Sequence, residues 1–166
     1  DGVINYDHGY VHKIKDFIWK TKVIEAIKYL NDRDYYVLVV TNQAGVGRGY
    51  YNQKDVVQLH DWINCELNKN GAVFEYGNES SFDKAFSTLL KKYKFKKIYY
   101  FILKKINTGM IKLAMKEWNI LTKKSIVIGD KETDILMAKR ANLKSYLVLE
   151  RTNLFNFVKK FHKTIK

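Results

Sequence analysis

The stretch VLVVTNQAGVGRG, residues 37–49, decides how the rest of the chain is read. Four apolar, mostly β-branched residues run into Thr41-Asn42-Gln43. Three glycines and one arginine follow within the next few positions. A short continuous apolar run, here YYVLVV over 35–40, fits a strand buried on both faces, as in a parallel sheet. A buried strand that ends in small hydrogen-bonding side chains calls for something polar beyond it.

The flanking segments alternate in type. KVIEAIKYLN (22–31) sets apolar residues at 23, 24, 27 and 30 on one helical face. Asn52 can cap a long helix over 53–70, with Val56, Leu59, Ile63 and Leu67 on one stripe, and Gly71 ends it. Further helices are expected over 81–93, 109–120, 133–143 and 153–165, with Ile111, Ala114, Met115 and Trp118 facing inward in the second of these. Strands are expected over 96–103, 125–128 and 145–150. This order predicts an α/β fold, a mainly parallel sheet with helices on both faces. Ligands bind such sheets beyond the carboxyl ends of the strands.

The strand ends carry the chemistry-bearing residues. One ends in Thr41-Asn42-Gln43, another in Gly129-Asp130-Lys131 with Asp134 a helical turn further on, and a third runs into Lys104-Lys105. Asp1-Gly2 forms a fourth candidate. A hydroxyl with nearby backbone N–H groups can cradle phosphoryl oxygens, lysines offset their charge, and a carboxylate can hold a divalent ion. Together these are the parts of a phosphoryl-transfer site, where positioning and electrostatics dominate. Singly, each also fits a plainer role: Thr-Asn-Gln as a turn or cap, GDKETD as a helix start with acidic residues near its positive end, Lys105 as a surface lysine.

Composition narrows the classes. The 166 residues and 19.6 kDa suit one domain, and 46% hydrophobic content is enough for a core. No apolar run reaches the ~20 residues of a membrane span. The single cysteine, Cys65, excludes an internal disulfide and a multi-cysteine zinc site; it reads as a core residue in a cytoplasmic protein. The net charge of +13 rests on 26 lysines against 4 arginines, and proline is absent. A nucleic-acid footprint is one reading of this charge, but lysine-biased usage over helix faces accounts for it better. His60 falls on a helix and reads as boundary packing; His12 is a candidate for a substrate-side role.

DGVINYDHGYVH, VVTNQAGVGRGYY, KINTGM and VIGDKETDILMAKRAN, in that order, resemble the haloacid-dehalogenase phosphatase superfamily. The nearest likeness is to its D-glycero-D-manno-heptose 1,7-bisphosphate phosphatases, which are themselves similar to the histidinol-phosphate phosphatases. The resemblance implies a three-layer Rossmann-like fold without a large cap domain, one domain over 1–166. It also implies a magnesium-dependent hydrolase working through an aspartyl-phosphate, acting on a small phosphorylated sugar in the synthesis of heptose precursors for surface polysaccharide. Asp1 then corresponds to the second aspartate of Asp-x-Asp, the general acid and base, with its backbone carbonyl on the metal. Asp7, His8, Gly9 and Tyr10 correspond to a substrate loop. Thr41 and Asn42 correspond to the phosphate-holding motif, and Gln43, Ala44 and Arg48 to a second substrate loop. Lys104 and Lys105 stand where the family has Arg-Lys on the phosphoryl group. Asp130 corresponds to the magnesium carboxylate and Lys131 to its neighbour in the site. A cytoplasmic monomer that binds neither membrane nor nucleic acid is the matching expectation.

Three departures accompany the likeness. The family's nucleophile would lie two residues before Asp1, so a longer natural protein is expected to carry it and the strand before it. Phe101 and Leu103 stand where the heptose group has the last two cysteines of a small zinc loop, and residues 66–161 contain no cysteine or histidine, so no zinc is expected there. Ile106 and Thr108 replace prolines, and lysine for arginine at 104 gives up bidentate phosphate contact. These departures leave two alternatives: a non-catalytic relative that keeps the scaffold, or a phosphatase acting on histidinol phosphate or nucleic-acid 3′ ends.

Overall fold

The structure, a computed structural model, describes residues 1–41, 43–74, 111, 115 and 120–165. The chain divides into two units, Asp1–Glu75 with Leu149–Lys166, and Tyr76–Val148. Among the described residues no helix is long and apolar enough to cross a membrane.

The first unit is helical. Residues 4–6 run antiparallel to 18–20, with Tyr6 N–H donating to Ile18 O at 3.0 Å and Lys20 N–H to Ile4 O at 3.0 Å. Helix α1 (Val23–Asn31) buries Val23, Ala26 and Ile27. A short helix α2 (Ala44–Arg48) follows the Thr-Asn-Gln turn, and α3 covers Gln53–Lys69. The start of α3 is held by a reciprocal cap: Asp55 N–H donates to Asn52 Oδ1 at 3.1 Å and Asn52 N–H to Asp55 Oδ2 at 2.8 Å. Its end is a left-handed Gly71 (φ 66°), with Ala72 N–H returning to Leu67 O and Gly71 N–H to Asn68 O. Val56, Leu59, Ile63 and Leu67 form the buried stripe expected of them. Phe17, Trp19 and Trp62 make a three-ring cluster, with the Phe17 centroid 4.9 Å from Trp19 and 5.6 Å from Trp62.

In the second unit, β1 (Ile126–Gly129) pairs in parallel with β2 (Lys144–Leu147), and α4 (Glu132–Arg140) forms the crossover. Asn142 (φ 57°) ends α4: its N–H reaches Lys139 O and Leu143 N–H reaches Ala138 O, which turns the chain into β2. The described sheet is thus parallel, as expected. Back in the first unit, α5 (Leu154–Ile165) buries Leu154, Val158 and Phe161 along one face and packs on α1. There the Tyr35 hydroxyl meets His162 Nδ1 at 3.2 Å.

Two expectations need correction, and three others lie wholly or largely outside the described residues. Residues 35–41 form no strand among the described residues, and Tyr36 and Val40 are exposed. An apolar run becomes a strand only with a ladder partner on at least one side, and none of the described segments supplies one. Cys65 is exposed rather than core, because it sits two residues from both Ile63 and Leu67 and so turns away from the stripe they share. The helix over 81–93 and the strand over 96–103 lie outside the described residues, as does the helix over 109–120 apart from helical positions Ile111, which is buried, and Met115.

Leu67 has no solvent exposure, so Leu67→Ala is expected to cost about 2–5 kcal/mol in chemical denaturation, against about 0.5 kcal/mol or less for exposed Leu121→Ala. Burial holds the His60 imidazole below its ordinary pKa. The unfolded chain therefore takes up this proton first as pH falls below about 6.5, and the stability that neutral His60 contributes is lost on acidification. Between about pH 7.5 and pH 5.5, the unfolding free energy of the wild type should fall more than that of His60→Gln.

Candidate active site

The N-terminal turn is held by two side chains. Asn5, almost wholly buried, donates through Nδ2 to Asp1 Oδ1 at 2.8 Å and to Tyr6 O at 3.0 Å. Its own carbonyl accepts from Gly2 N–H at 2.9 Å. Lys20, 5% exposed, donates through Nζ to Gly2 O at 2.9 Å and Leu149 O at 3.3 Å. Burying an ammonium is costly unless its protons find acceptors, and here two carbonyls serve. One Asp1 carboxylate oxygen is thereby fixed in place by an amide that cannot turn without breaking a second bond.

The 7–12 loop makes a tight reversal. Asp7 Oδ1 accepts from Gly9 N–H at 2.9 Å, and both Gly9 (φ 82°) and Tyr10 (φ 56°) are left-handed. Glycine adopts this conformation freely, whereas for tyrosine it costs roughly 1–2 kcal/mol. Contacts with the 43–51 loop support it. The Tyr10 and Tyr50 rings meet edge to face at 4.9 Å, and the Arg48 guanidinium lies 5.5 Å from the Tyr10 centroid. His12 holds Tyr10 O through Nδ1 at 2.7 Å and stacks its ring on Tyr51, centroids 4.4 Å apart and 6° from parallel. His8 is exposed and stacks loosely near Tyr6, 6.4 Å between centroids.

The turn quoted at the outset is organised from Tyr51. Its hydroxyl donates to Gln43 Oε1 at 2.7 Å, and Gln43 Nε2 donates to Thr41 Oγ1 at 3.0 Å. The Tyr51 ring lies directly over Gly45, where any Cβ would overlap it. Ala44 opens α2 and Arg48 closes it before the left-handed Gly49 (φ 76°). Burial pushes the Tyr51 phenol up, opposed in part by the polar backbone N–H of Gly45 nearby.

In the second unit Asp130 and Lys131 lie where β1 runs into α4. Asp134 Oδ2 accepts from Lys131 N–H at 3.1 Å and its side chain fills the space against Gly129 that a Cβ would need. Asp134 is therefore committed to closing the turn. Asp130 keeps its carboxylate about one-fifth exposed, with Lys131 Nζ at a loose 3.9 Å. Among the described residues no cluster of three or more histidines, cysteines or acids exists. A single carboxylate still fits magnesium, which is commonly held by one or two carboxylates, waters and substrate phosphate, and it does not fit zinc's cage of nitrogen and sulfur.

Of the residues singled out from sequence, Asp7, Gly9, Tyr10, Gln43, Ala44 and Arg48 come together with Thr41 in the first unit through the contacts above. Asp1 is held in its own turn in that unit, and Asp130 and Lys131 form a separate turn in the second. Asn42, Lys104 and Lys105 lie outside the described residues. Asn5, Lys20 and Tyr51 were not anticipated. Lys20 sits in WKTK and reads like any other surface lysine of this lysine-rich chain. Only the GYY following the glycines marked Tyr51.

Residues 102–152 match the family model described as HAD-hydrolase-like. The D-glycero-alpha-D-manno-heptose-1,7-bisphosphate 7-phosphatase of Photorhabdus laumondii is 35% identical over 144 residues, covering 86% of this chain and 75% of that protein. The D-glycero-beta-D-manno-heptose-1,7-bisphosphate 7-phosphatase of Haemophilus ducreyi is 36% identical over 166 residues, 92% of this chain and 80% of that one. Among solved structures, the D,D-heptose 1,7-bisphosphate phosphatase from B. bronchiseptica, complexed with magnesium and phosphate, superposes with a TM-score of 0.69 at 21% identity, covering 96% of this chain and 82% of that one. The fold is that of the haloacid-dehalogenase phosphatases, and the chain belongs to the family within that superfamily that contains these heptose bisphosphate phosphatases.

Proposed function

We propose that the protein is a magnesium-dependent phosphatase that hydrolyses the 7-phosphate of D-glycero-D-manno-heptose 1,7-bisphosphate. The observation that carries this reading is the joining of the two loops resembling the group's substrate loops, 7–12 and 43–51, by the Tyr10, Arg48, His12 and Tyr51 contacts. The names of the relatives agree with it. A small phosphorylated sugar as ligand, a monomeric state and a cytoplasmic setting belong to the same reading.

In this reading a carboxylate two residues before Asp1 attacks phosphorus, and the P–O bond to the sugar breaks as an aspartyl-phosphate forms. Asp1 gives its proton to the departing sugar oxygen and then takes one from the water that hydrolyses the acyl phosphate, which restores both carboxyl groups. Asn5 orients the Asp1 carboxylate through one of its oxygens. Thr41 donates to a phosphoryl oxygen, with Asn42 beside it, and Lys104 and Lys105 offset the charge on the phosphoryl group. Asp130 is the carboxylate that would hold magnesium, and Lys131 its neighbour. Magnesium, when bound, supplies charge neutralisation at the phosphoryl oxygens. Asp7, His8, Gly9, Tyr10, Gln43, Ala44 and Arg48 line the sugar side, where Arg48 is suited to an anionic group of the substrate.

Phosphate release should be measured for the full-length protein with heptose 1,7-bisphosphate, histidinol phosphate and a 3′-phosphorylated oligonucleotide, each with magnesium and with chelator. Release from the heptose, lost with chelator, is expected. Asp130→Asn should lower kcat by about 100-fold or more with the protein still folded. Preference for another ester would keep the chemistry and overturn the substrate. Silence on all three from a folded, magnesium-loaded protein would overturn the phosphatase reading.

A further inference from the structure

The phosphoryl-holding hydroxyl of Thr41 is the acceptor, not the donor, in its contact with the rest of the turn. A hydroxyl has one proton and two lone pairs, so its orientation depends on which partner donates. Gln43 could in principle present either end of its amide to Thr41, and the choice has to be settled by the surrounding bonds. The Tyr51 hydroxyl, on a nearly buried ring, has one side-chain partner among the described residues, Gln43, and donates to its Oε1 at 2.7 Å. Gln43 thereby presents Nε2 to Thr41 Oγ1, at 3.0 Å. Thr41 Oγ1 accepts, and its own proton is left to point away from Gln43.

The alternative amide orientation would turn Nε2 towards the Tyr51 oxygen and leave the phenol proton without this acceptor on a side chain that is 9% exposed, a loss of about 1–3 kcal/mol. The ring itself is held by two constraints: Gly45 below it and His12 stacked 4.4 Å away. Burial keeps the phenol protonated at neutral pH, so it remains a donor throughout the working range.

We infer that Tyr51 and Gln43 are positioning residues: the relay Tyr51 Oη–H, Gln43 amide, Thr41 Oγ1–H orients the Thr41 proton so that it is ready to donate to a phosphoryl oxygen. This rests on the phosphatase reading and adds to it Tyr51, with a second role for Gln43, neither of which need touch the reacting phosphate. It also gives a physical reason for glycine at 45, since a side chain there would displace the ring that starts the relay.

The test is a double-mutant cycle on the full-length protein with magnesium, using Tyr51→Phe, Thr41→Val and the pair, with Thr41→Ser as the variant that keeps the hydroxyl. The readouts are kcat/KM and the inhibition constant for inorganic phosphate. Tyr51→Phe keeps the ring and its stack, and is expected to lower kcat/KM about 10-fold and weaken phosphate inhibition by a similar factor, as for loss of one oriented hydrogen bond. In the Thr41→Val background the same substitution should change neither value, whereas in Thr41→Ser its full effect should return. Thermal unfolding of each variant separates misfolding from lost orientation. Should Tyr51→Phe prove poorly folded, Gln43→Leu, which removes both relay bonds, should show the same dependence on Thr41 in the inhibition constant for inorganic phosphate, which lacks the sugar that Gln43 faces. Equal losses with and without the Thr41 hydroxyl would overturn the relay and leave Tyr51 a packing residue. No loss in Tyr51→Phe would overturn it as well. A wild type inactive on every phosphate ester would instead overturn the phosphatase reading itself.

Discussion

The organisation of the first unit's candidate site depends on one close approach, the Tyr51 ring over Gly45. Without a Cβ at 45, the ring can lie on the backbone of α2, where its hydroxyl reaches Gln43 and its face meets His12. From that seat two sets of contacts spread. One runs through polar groups to Gln43 and Thr41; the other runs through His12 to Tyr10 O and so to the strained 7–12 loop. Tyr10 in a left-handed conformation is tolerable because the carbonyl bond, the Tyr50 ring and Arg48 all bear on it. A nearly buried tyrosine with its ring packed and its hydroxyl bonded to Gln43 is a rigid anchor for the turn it holds.

How much of this was legible in the sequence follows from the range of the forces involved. The α3 cap, its buried stripe and its end at Gly71 are local, set by Asn52, Asp55, the helical spacing and one glycine, and all appear as read. The α4 crossover between two parallel strands is nearly as local, since Gly129, Asp134 and Asn142 shape both ends of the helix. The apolar run at 35–40 failed as a strand because pairing depends on neighbours distant in sequence. Cys65 failed because composition was allowed to outweigh its place on the α3 wheel. Lys20 had no signal at all: its burial comes from carbonyls at Gly2 and Leu149, the latter 129 residues away.

The candidate site was readable as residue types and order, not as a hydrogen-bond network. Thr41, Gln43, Arg48 and the DHGY loop could be named from their motifs, whereas the contact that Thr41 makes runs through Gln43 from Tyr51. The chain's +13 charge is mostly unrelated to this chemistry. The described ion pairs are exposed neighbours on the same or adjacent turn, such as Lys22–Glu25 and Lys28–Asp32, which contribute little to stability. Lysine enrichment therefore says more about the surface, and about attraction of an anionic substrate, than about fold.

The central claim is that the polar object beyond Val40 is a phosphoryl group. It is tested most directly by a crystal structure of the full-length protein grown with magnesium and a phosphate mimic such as tungstate. The expected result is a mimic oxygen within hydrogen-bond distance of Thr41 Oγ1, with Gln43 still bridging Thr41 and Tyr51. An anion bound elsewhere, with Thr41 hydrogen-bonded only within its own turn, would contradict it.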